Sequence, residues 1–328
     1  MGAVGPMLGI IEDANSVWHN TFLVNELGID AVECGGAISW AQECYERGLI
    51  TSKDVGVELE WGDQEVVEKL IKMIAYREGF GDILAEGSAK ANKKLGLDKK
   101  GEDYLICTRG MTLVAGDPRG VGYGFGLGYA VGTRGGCDHL RACAFLDFVS
   151  PLYPGLAESI TGIKGEMKPF DTLSKPRLVF YEENHKAVTD SLEVCCFTTH
   201  FTYVVLAKDQ VEYLNACTGL DFTEEELLKI GERIYNLERA YWAKLLSGKR
   251  EDILPKRFTS EPLPKSIPDQ VNFGNVVEIT EMLKEYYKIR GYEQNTGFPG
   301  DKRLKELGLE EVAEELKPYR KKYKSLKE

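Results

Sequence analysis

Apolar residues recur three and four positions apart through most of this chain, and that spacing predicts helices. In DANSVWHNTFLVNELGID (13–30), Val17, Phe22, Val24 and Leu27 stand among polar residues, and Gly28 suits a helix end. AISWAQECYERG (37–48) reads as a second helix closed by Gly48. In WGDQEVVEKLIKMIAYREGFGD (61–82), Asp63 is placed to cap, Val67, Leu70, Ile71 and Ile74 form one face, and Gly79 is the expected stop. A further helix is expected from about Asp82 to Gly96, with lysines in its last turn, where the helix dipole favours them.

The pattern changes at GDPRGVGYGFGLGYAVGTRGG (116–136), which carries nine glycines and reads as an irregular segment. Helices return at KPRLVFYEENHKAVTDSLEV (175–194), where Pro176 fits a first turn. They continue at DFTEEELLKIGERIYNLERAYWAKLL (221–246), where Thr223 and Glu226 form a capping box and Phe222 and Leu227 a hydrophobic staple. The expected fold is mainly α: two helical domains with a glycine-rich irregular segment between helices. The polar GLDKKGED (96–103) suggests a division into residues 1–108 and 109–328.

Composition narrows the function classes. The 328 residues carry a net charge of −11, which disfavours nucleic acids and anionic lipid surfaces as partners. The basic C-terminal stretch KPYRKKYKSLKE reads as a solvated helix end. Eight cysteines without a CxxC and without the regular spacing of a small secreted chain suggest free thiols or metal ligands in a reducing cytoplasm. No apolar run is long enough to span a bilayer.

Three stretches hold candidate chemistry. The alternating glycines of GYGFGLG do not match GxGxxG and lack a strand–turn–helix frame, which leaves close packing or backbone contact with a polar cofactor. RGGCDHLRA (134–142) sets His139, a candidate acid/base, between Arg134 and Arg141, which could grip phosphate or carboxylate. Cys137, His139 and Cys143 could also begin a zinc site, although the spacing matches no common zinc pattern. His19, His185 and His200 have no such company and read as structural. Asp30 and Asp190 stand in similar settings near helix ends. Each is read first as a cap or solvated carboxylate, with a paired role in holding a cofactor's N–H donors as the alternative. The vicinal Cys195 and Cys196 are poorly placed to bridge each other.

Taken in order, NELGIDAVECGG, WGDQEVVEKLIKMIAYREGFGDILAEGS, DPRG, GLGYAVGTRGGCDHLRA, DSLEVCCFTT and IGERIYNLERAY resemble the aldehyde ferredoxin oxidoreductase family, enzymes that hold tungsten between two pterins. The resemblance covers essentially the whole chain but only the family's two C-terminal helical domains. It implies oxidation of aldehydes to carboxylic acids with ferredoxin as electron acceptor and a tungsten (or molybdenum) bis-pterin. It also implies a [4Fe–4S] cluster.

Residue by residue, it implies that Asn25, Ile29 and Asp30 match the first pterin motif and Asp190 and Val194 the second. Arg134 and Arg141 match basic residues at the pterin and its phosphates, and His139 the catalytic histidine beside the metal. Cys195 matches one cluster ligand, the other three falling outside this chain, and Cys196 a bystander position. Two departures matter: Asn25 replaces an aspartate, and Glu193 replaces the motif glycine, where a side chain could crowd the ring. The chain is expected to need an N-terminal pterin-binding domain or subunit, to be inactive by itself, and to be able to form a homodimer. The alternatives are a non-catalytic helical assembly module and a subunit of an aromatic acyl-CoA reductase type.

Overall fold

The computed structural model describes residues 1–328 apart from 115, 137–141, 143, 154, 166, 246–251, 267, 269 and 326–328; the side chains of 322–325 are also outside the description. The fold is mainly α, as the sequence predicts. Among the described residues the one sheet is a hairpin of β1 (Cys107–Thr108) and β2 (Met111–Thr112), with Cys107 opposite Thr112. The chain forms two compact units: residues 1–116 with 135–137 and 254–261, and residues 117–134, 138–253 and 262–328.

Unit 1 is built on α1 (Ala14–Glu26), α2 (Ala31–Glu46) and α3 (Gln64–Tyr76). Their starts are fixed by side chains that satisfy otherwise unpaired N–H groups: Asp13 accepts from Asn15 N–H, Asp30 from Glu33 and Asp63 from Val66. The expected face of α3, Val67, Leu70, Ile71 and Ile74, is buried with Val24, Ile38 and Trp40 in one core. Two punctuation marks differ from expectation. Arg77, at φ +56°, ends α3 ahead of Gly79, and the helix expected from Asp82 to Gly96 is broken at Gly87 (φ +84°) into Phe80–Leu84 and Ser88–Lys94.

In unit 2 the glycine-rich stretch is more regular than expected. After a short turn at Pro118–Val121 it forms α4 (Tyr123–Val131), buried on all sides. The alternating glycines serve a carboxylate. A Cβ on Gly122 or Gly124 would lie 2.6 or 2.7 Å from Asp147 Oδ2, so their absence lets Asp147 accept Gly124 N–H at 2.6 Å. Asp147 also pairs with the buried Lys175 at 2.6 Å. Burial nevertheless pushes its carboxyl up to about 6, against the pull of Lys175. A folded-state value raised above the unfolded one favours the protonated form. Its contribution is therefore full below about pH 4 and is lost as pH rises through 6. The stability difference between the parent and Asp147→Asn should shrink by roughly 2 kcal/mol between pH 4 and 6. Urea melts of both proteins across that range check it.

The centre of unit 2 is α5 (Lys175–Ser191) against α7 (Glu224–Leu245), with α6 (Ala207–Thr218) and α8 (Ile279–Arg290) alongside. Gly231 sets the spacing, since a Cβ there would lie 2.0 Å from the Asn184 carbonyl oxygen. The capping box before α7 is formed: Glu226 N–H donates to Thr223 Oγ1 at 3.2 Å and Thr223 N–H to Glu226 Oε2 at 2.9 Å. Phe222 and Leu227 share one apolar cluster, as the staple requires. Beyond α8, α9 (Glu310–Ser325) packs Ala313 and Leu316 against Ala240 and Ala243 of α7.

Candidate functional site

Two helix ends, one in each unit, have the same backbone construction. At the end of α1, Gly28 N–H donates to Asn25 O at 3.1 Å and Ile29 N–H to Val24 O at 3.0 Å. At the end of α5, Glu193 N–H donates to Asp190 O at 3.2 Å and Val194 N–H to Thr189 O at 3.0 Å. Both are Schellman closures, which require a left-handed residue at the fourth motif position. Gly28 meets that at φ +65° and Glu193 at φ +57°. The apolar fifth residue, Ile29 or Val194, is half-buried, and the sixth, Asp30 or Cys195, is exposed where the chain leaves the helix.

The Glu193 side chain is itself exposed, and the left-handed backbone is what its position demands. That conformation costs an L-residue about 1–2 kcal/mol, and glycine's greater freedom in the unfolded chain returns part of this. Glu193→Gly should therefore raise the stability of unit 2 by about 0.5–1 kcal/mol, read as an increased denaturant midpoint.

In unit 1, Asp30 caps α2 through Oδ1 at 2.7 Å from Glu33 N–H, yet its carboxylate remains exposed. Glu33 turns the other way and accepts Thr112 N–H of β2 at 2.8 Å. Its Oε1 is buried without a partner, and burial pushes its carboxyl up. The hairpin in turn seats Gly135 and Gly136. Gly136 N–H donates to Thr108 Oγ1 at 3.1 Å, and a Cβ on Gly135 would lie 2.5 Å from Thr108 O. Helix start, hairpin and glycine pair thus form one rigid support leading into 137–141. The sequence-predicted His139 and Arg141, with Cys137 and Cys143 of the zinc alternative, lie outside the described residues. Arg134 is exposed on unit 2.

In unit 2, Asp190 pairs with Lys186 one turn earlier on α5. A cavity of about 210 Å³ opens beside this pair, lined also by Glu183, Tyr235 and Glu238. The larger cleft, about 1340 Å³, runs along the other half of α5 past Arg177, Phe180 and Tyr181. Cys195 is exposed, Cys196 half-buried, and both are free thiols. Among the described residues no cluster of three or more His, Cys, Asp or Glu side chains could hold a metal ion.

Residues 1–309 match the family model described as aldehyde ferredoxin oxidoreductase, domains 2 and 3. The chain belongs to the aldehyde ferredoxin oxidoreductase family. It is 41% identical over 315 residues to the tungsten-containing aldehyde ferredoxin oxidoreductase of Pyrococcus horikoshii, covering 94% of this chain and 48% of that protein. The enzyme of the same description from Pyrococcus furiosus is 39% identical over 313 residues, covering 94% and 47%. A Pyrococcus furiosus protein described as an aliphatic sulfonate oxidoreductase, WOR-like subunit, is 32% identical over 332 residues, covering 97% and 46%. This member of the aldehyde ferredoxin oxidoreductase family thus spans about half the length of the curated relatives it matches. Its fold is shared with a chain of the active-site complex BamBC of benzoyl coenzyme A reductase (TM-score 0.71, 21% identity, covering 93% and 48%).

The structure brings Asn25, Ile29 and Asp30 together at one helix end, and Asp190, Val194 and Cys195 at the other. Sequence reasoning missed Lys186 beside Asp190, and it left His185 and His200 as structural although both sit in a buried polar cluster with Glu182. The signal was available. Helix α5 buries Glu182, Glu183, Asn184, His185 and Lys186 in succession, which a purely structural helix seldom does.

Proposed function

We propose that this chain is the helical, redox-facing portion of a tungstopterin oxidoreductase that oxidises aldehydes to carboxylic acids and passes the electrons to ferredoxin. The observation that carries it is the pair of identical helix closures, each ending in a motif the family uses for its cofactors, in a chain 41% identical to a tungsten-containing aldehyde ferredoxin oxidoreductase. The sulfonate-acting relative is less similar, at 32%, which favours aldehydes as the substrate class.

The donor set suits such a cofactor. Exposed carboxylates at Asp30 and Asp190 can each accept the adjacent ring N–H and amino donors of a pterin. Lys186 pairs with Asp190 and orients its carboxylate. Arg134, with Arg141 expected nearby in sequence, can bind phosphate. Cys195 offers an exposed thiol that can serve as one of four cluster ligands. Bound there, a tungsten pterin supplies the two-electron chemistry and an iron–sulfur cluster hands electrons on one at a time. His139 would hold a proton at the substrate oxygen, stabilising charge that develops there.

In this reading the remaining cluster ligands and the second wall of the cofactor site are supplied from outside these 328 residues. Exposed apolar side chains one turn apart on α1, Trp18 and Phe22, both 63% exposed, are consistent with such a covering partner. Assembly with the amino-terminal half of a relative, under anaerobic conditions with tungstate, tests the reading. Aldehyde-dependent reduction of ferredoxin or a viologen dye is expected from the assembly and not from the chain alone. An assembly that forms, loads cofactor and shows no aldehyde oxidation would contradict it.

A further inference from the structure

Behind the Lys186–Asp190 pair lies a group of buried polar side chains that capping, packing and cofactor binding leave unexplained. Glu182, wholly buried on α5, places Oε2 2.5 Å from His200 Nδ1 and accepts the Tyr203 hydroxyl on Oε1 at 3.0 Å. The Tyr203 oxygen in turn accepts Leu146 N–H at 2.8 Å. His185, about one turn along α5 from Glu182, has its ring centroid 4.7 Å from that of His200. Gln210 of α6 donates its amide to Thr189 Oγ1 at 2.9 Å. His200 Nε2 is buried with no hydrogen-bond partner, and so is one ring nitrogen of His185, whose ring otherwise lies within hydrogen-bonding reach of the Gln210 side chain. An orphaned buried polar atom costs about 1–3 kcal/mol, and two on neighbouring rings imply something polar between them. His200 sits in the π-helical turn Phe197–Phe201, a wide turn found mostly at functional positions.

The chemistry of this contact is proton storage. Two atoms 2.5 Å apart, one carboxyl and one imidazole, hold a single proton that either can carry. Burial pushes the Glu182 carboxyl well above its usual range and the His200 imidazole down to about 3, so both avoid charge. With the proton on Glu182, His200 Nδ1 is the acceptor and the ring proton sits on Nε2. His185 is held neutral in the same way, at about 3, by burial and by His200, leaving one ring nitrogen to donate and one to accept. The other groups facing the cluster are Lys186, which disfavours charge on His200, Asp190, which favours it, Gln210 and Asp209, which favour charge on His185, and Tyr181, whose ring centroid lies 5.5 Å from that of His185.

We propose that Glu182, His200, His185 and Gln210 enclose ordered water and form a buried proton relay serving the Asp190 side of the site. What uses the proton rests on the oxidoreductase reading above. An aldehyde and one water give a carboxylic acid, two electrons and two protons. The electrons leave through the redox groups proposed there. The relay takes up one proton at its inner end and releases another to solvent, and is itself unchanged. The four side chains are positioning and proton-holding residues, distinct from the expected substrate-facing His139.

Histidine ring-proton exchange on the full chain, labelled with 15N-histidine and free of cofactor, tests this. Connected to water, the ring N–H protons of His185 and His200 should exchange at least roughly a thousandfold faster than the Val188 and Thr189 amides of the same helix. Cross-peaks from these ring protons to water should also be present. Glu182→Gln keeps the shape of the side chain but cannot pass a proton on, and should slow the exchange at least about tenfold. Ring protons as protected as those amides and lacking water contacts would overturn the relay, whether or not the variant folds, as would unchanged exchange in a folded Glu182→Gln. Because no redox activity is involved, this result stands apart from the fate of the aldehyde reading.

Discussion

Arg290→Ala should destabilise unit 2 by on the order of 3–5 kcal/mol, the loss expected when one partner of a buried ion pair is removed. Arg290 is fully buried at the end of α8. It donates to Glu183 Oε2 at 2.5 Å and to Asn184 Oδ1 at 2.7 Å. Its guanidinium also lies over the rings of Phe180 and Tyr235, at 4.4 and 4.5 Å. Without it, Glu183 keeps the Tyr286 hydroxyl at 2.7 Å but faces burial with no countercharge. Burial already pushes that carboxyl upward despite Arg290. For a unit of this size the loss corresponds to a melting-temperature drop of roughly 6–20 °C. Lys284→Ala on the same helix removes only an exposed pair with Glu281 and should stay within about 0.5 kcal/mol of the parent. Calorimetry of both variants separates the two. The pair Glu183→Leu and Arg290→Met should recover most of the loss, because it removes both charges together.

The second large effect is on cofactor retention. In the anaerobic assembly with the amino-terminal half of a relative, Cys195→Ala should abolish the iron–sulfur cluster, while Cys196→Ala should retain it. A cluster held by four thiolates does not survive loss of one without a substitute ligand. The adjacent Cys196 is half-buried beyond the closure, one residue further from the helix end that positions Cys195. Iron should fall from about four atoms per assembly to none in the first variant and stay near four in the second. Visible absorbance and the low-temperature EPR signal of the reduced protein provide the same comparison.

Local chemistry made much of this structure legible. Asp13, Asp63 and the Thr223–Glu226 pair announce helix starts because each satisfies N–H groups a few residues away, information held in the sequence itself. The closure at the end of α1 was readable for the same reason, since Gly28 marks a left-handed turn. At the end of α5 the residue type gives no such mark, because nothing in a glutamate announces φ +57°. Other features depend on partners distant in the chain. Gly87 breaks a helix at φ +84°, and a Cβ there would lie 2.7 Å from Glu33 Oε1, a crowding visible only once α2 is in place. The alternating glycines of α4 make sense only beside Asp147. The polar run on α5 is buried, with Glu182 and Glu183 answered by His200 and Arg290 from other elements.

The measurement that tests the central claim most directly is metal analysis of the anaerobically purified chain, alone and assembled with the amino-terminal half of a relative. Tungsten near one and iron about four per assembly, with neither in the chain alone, is the expected result. A well-formed assembly carrying neither metal would contradict the reading of these helix ends as cofactor-binding.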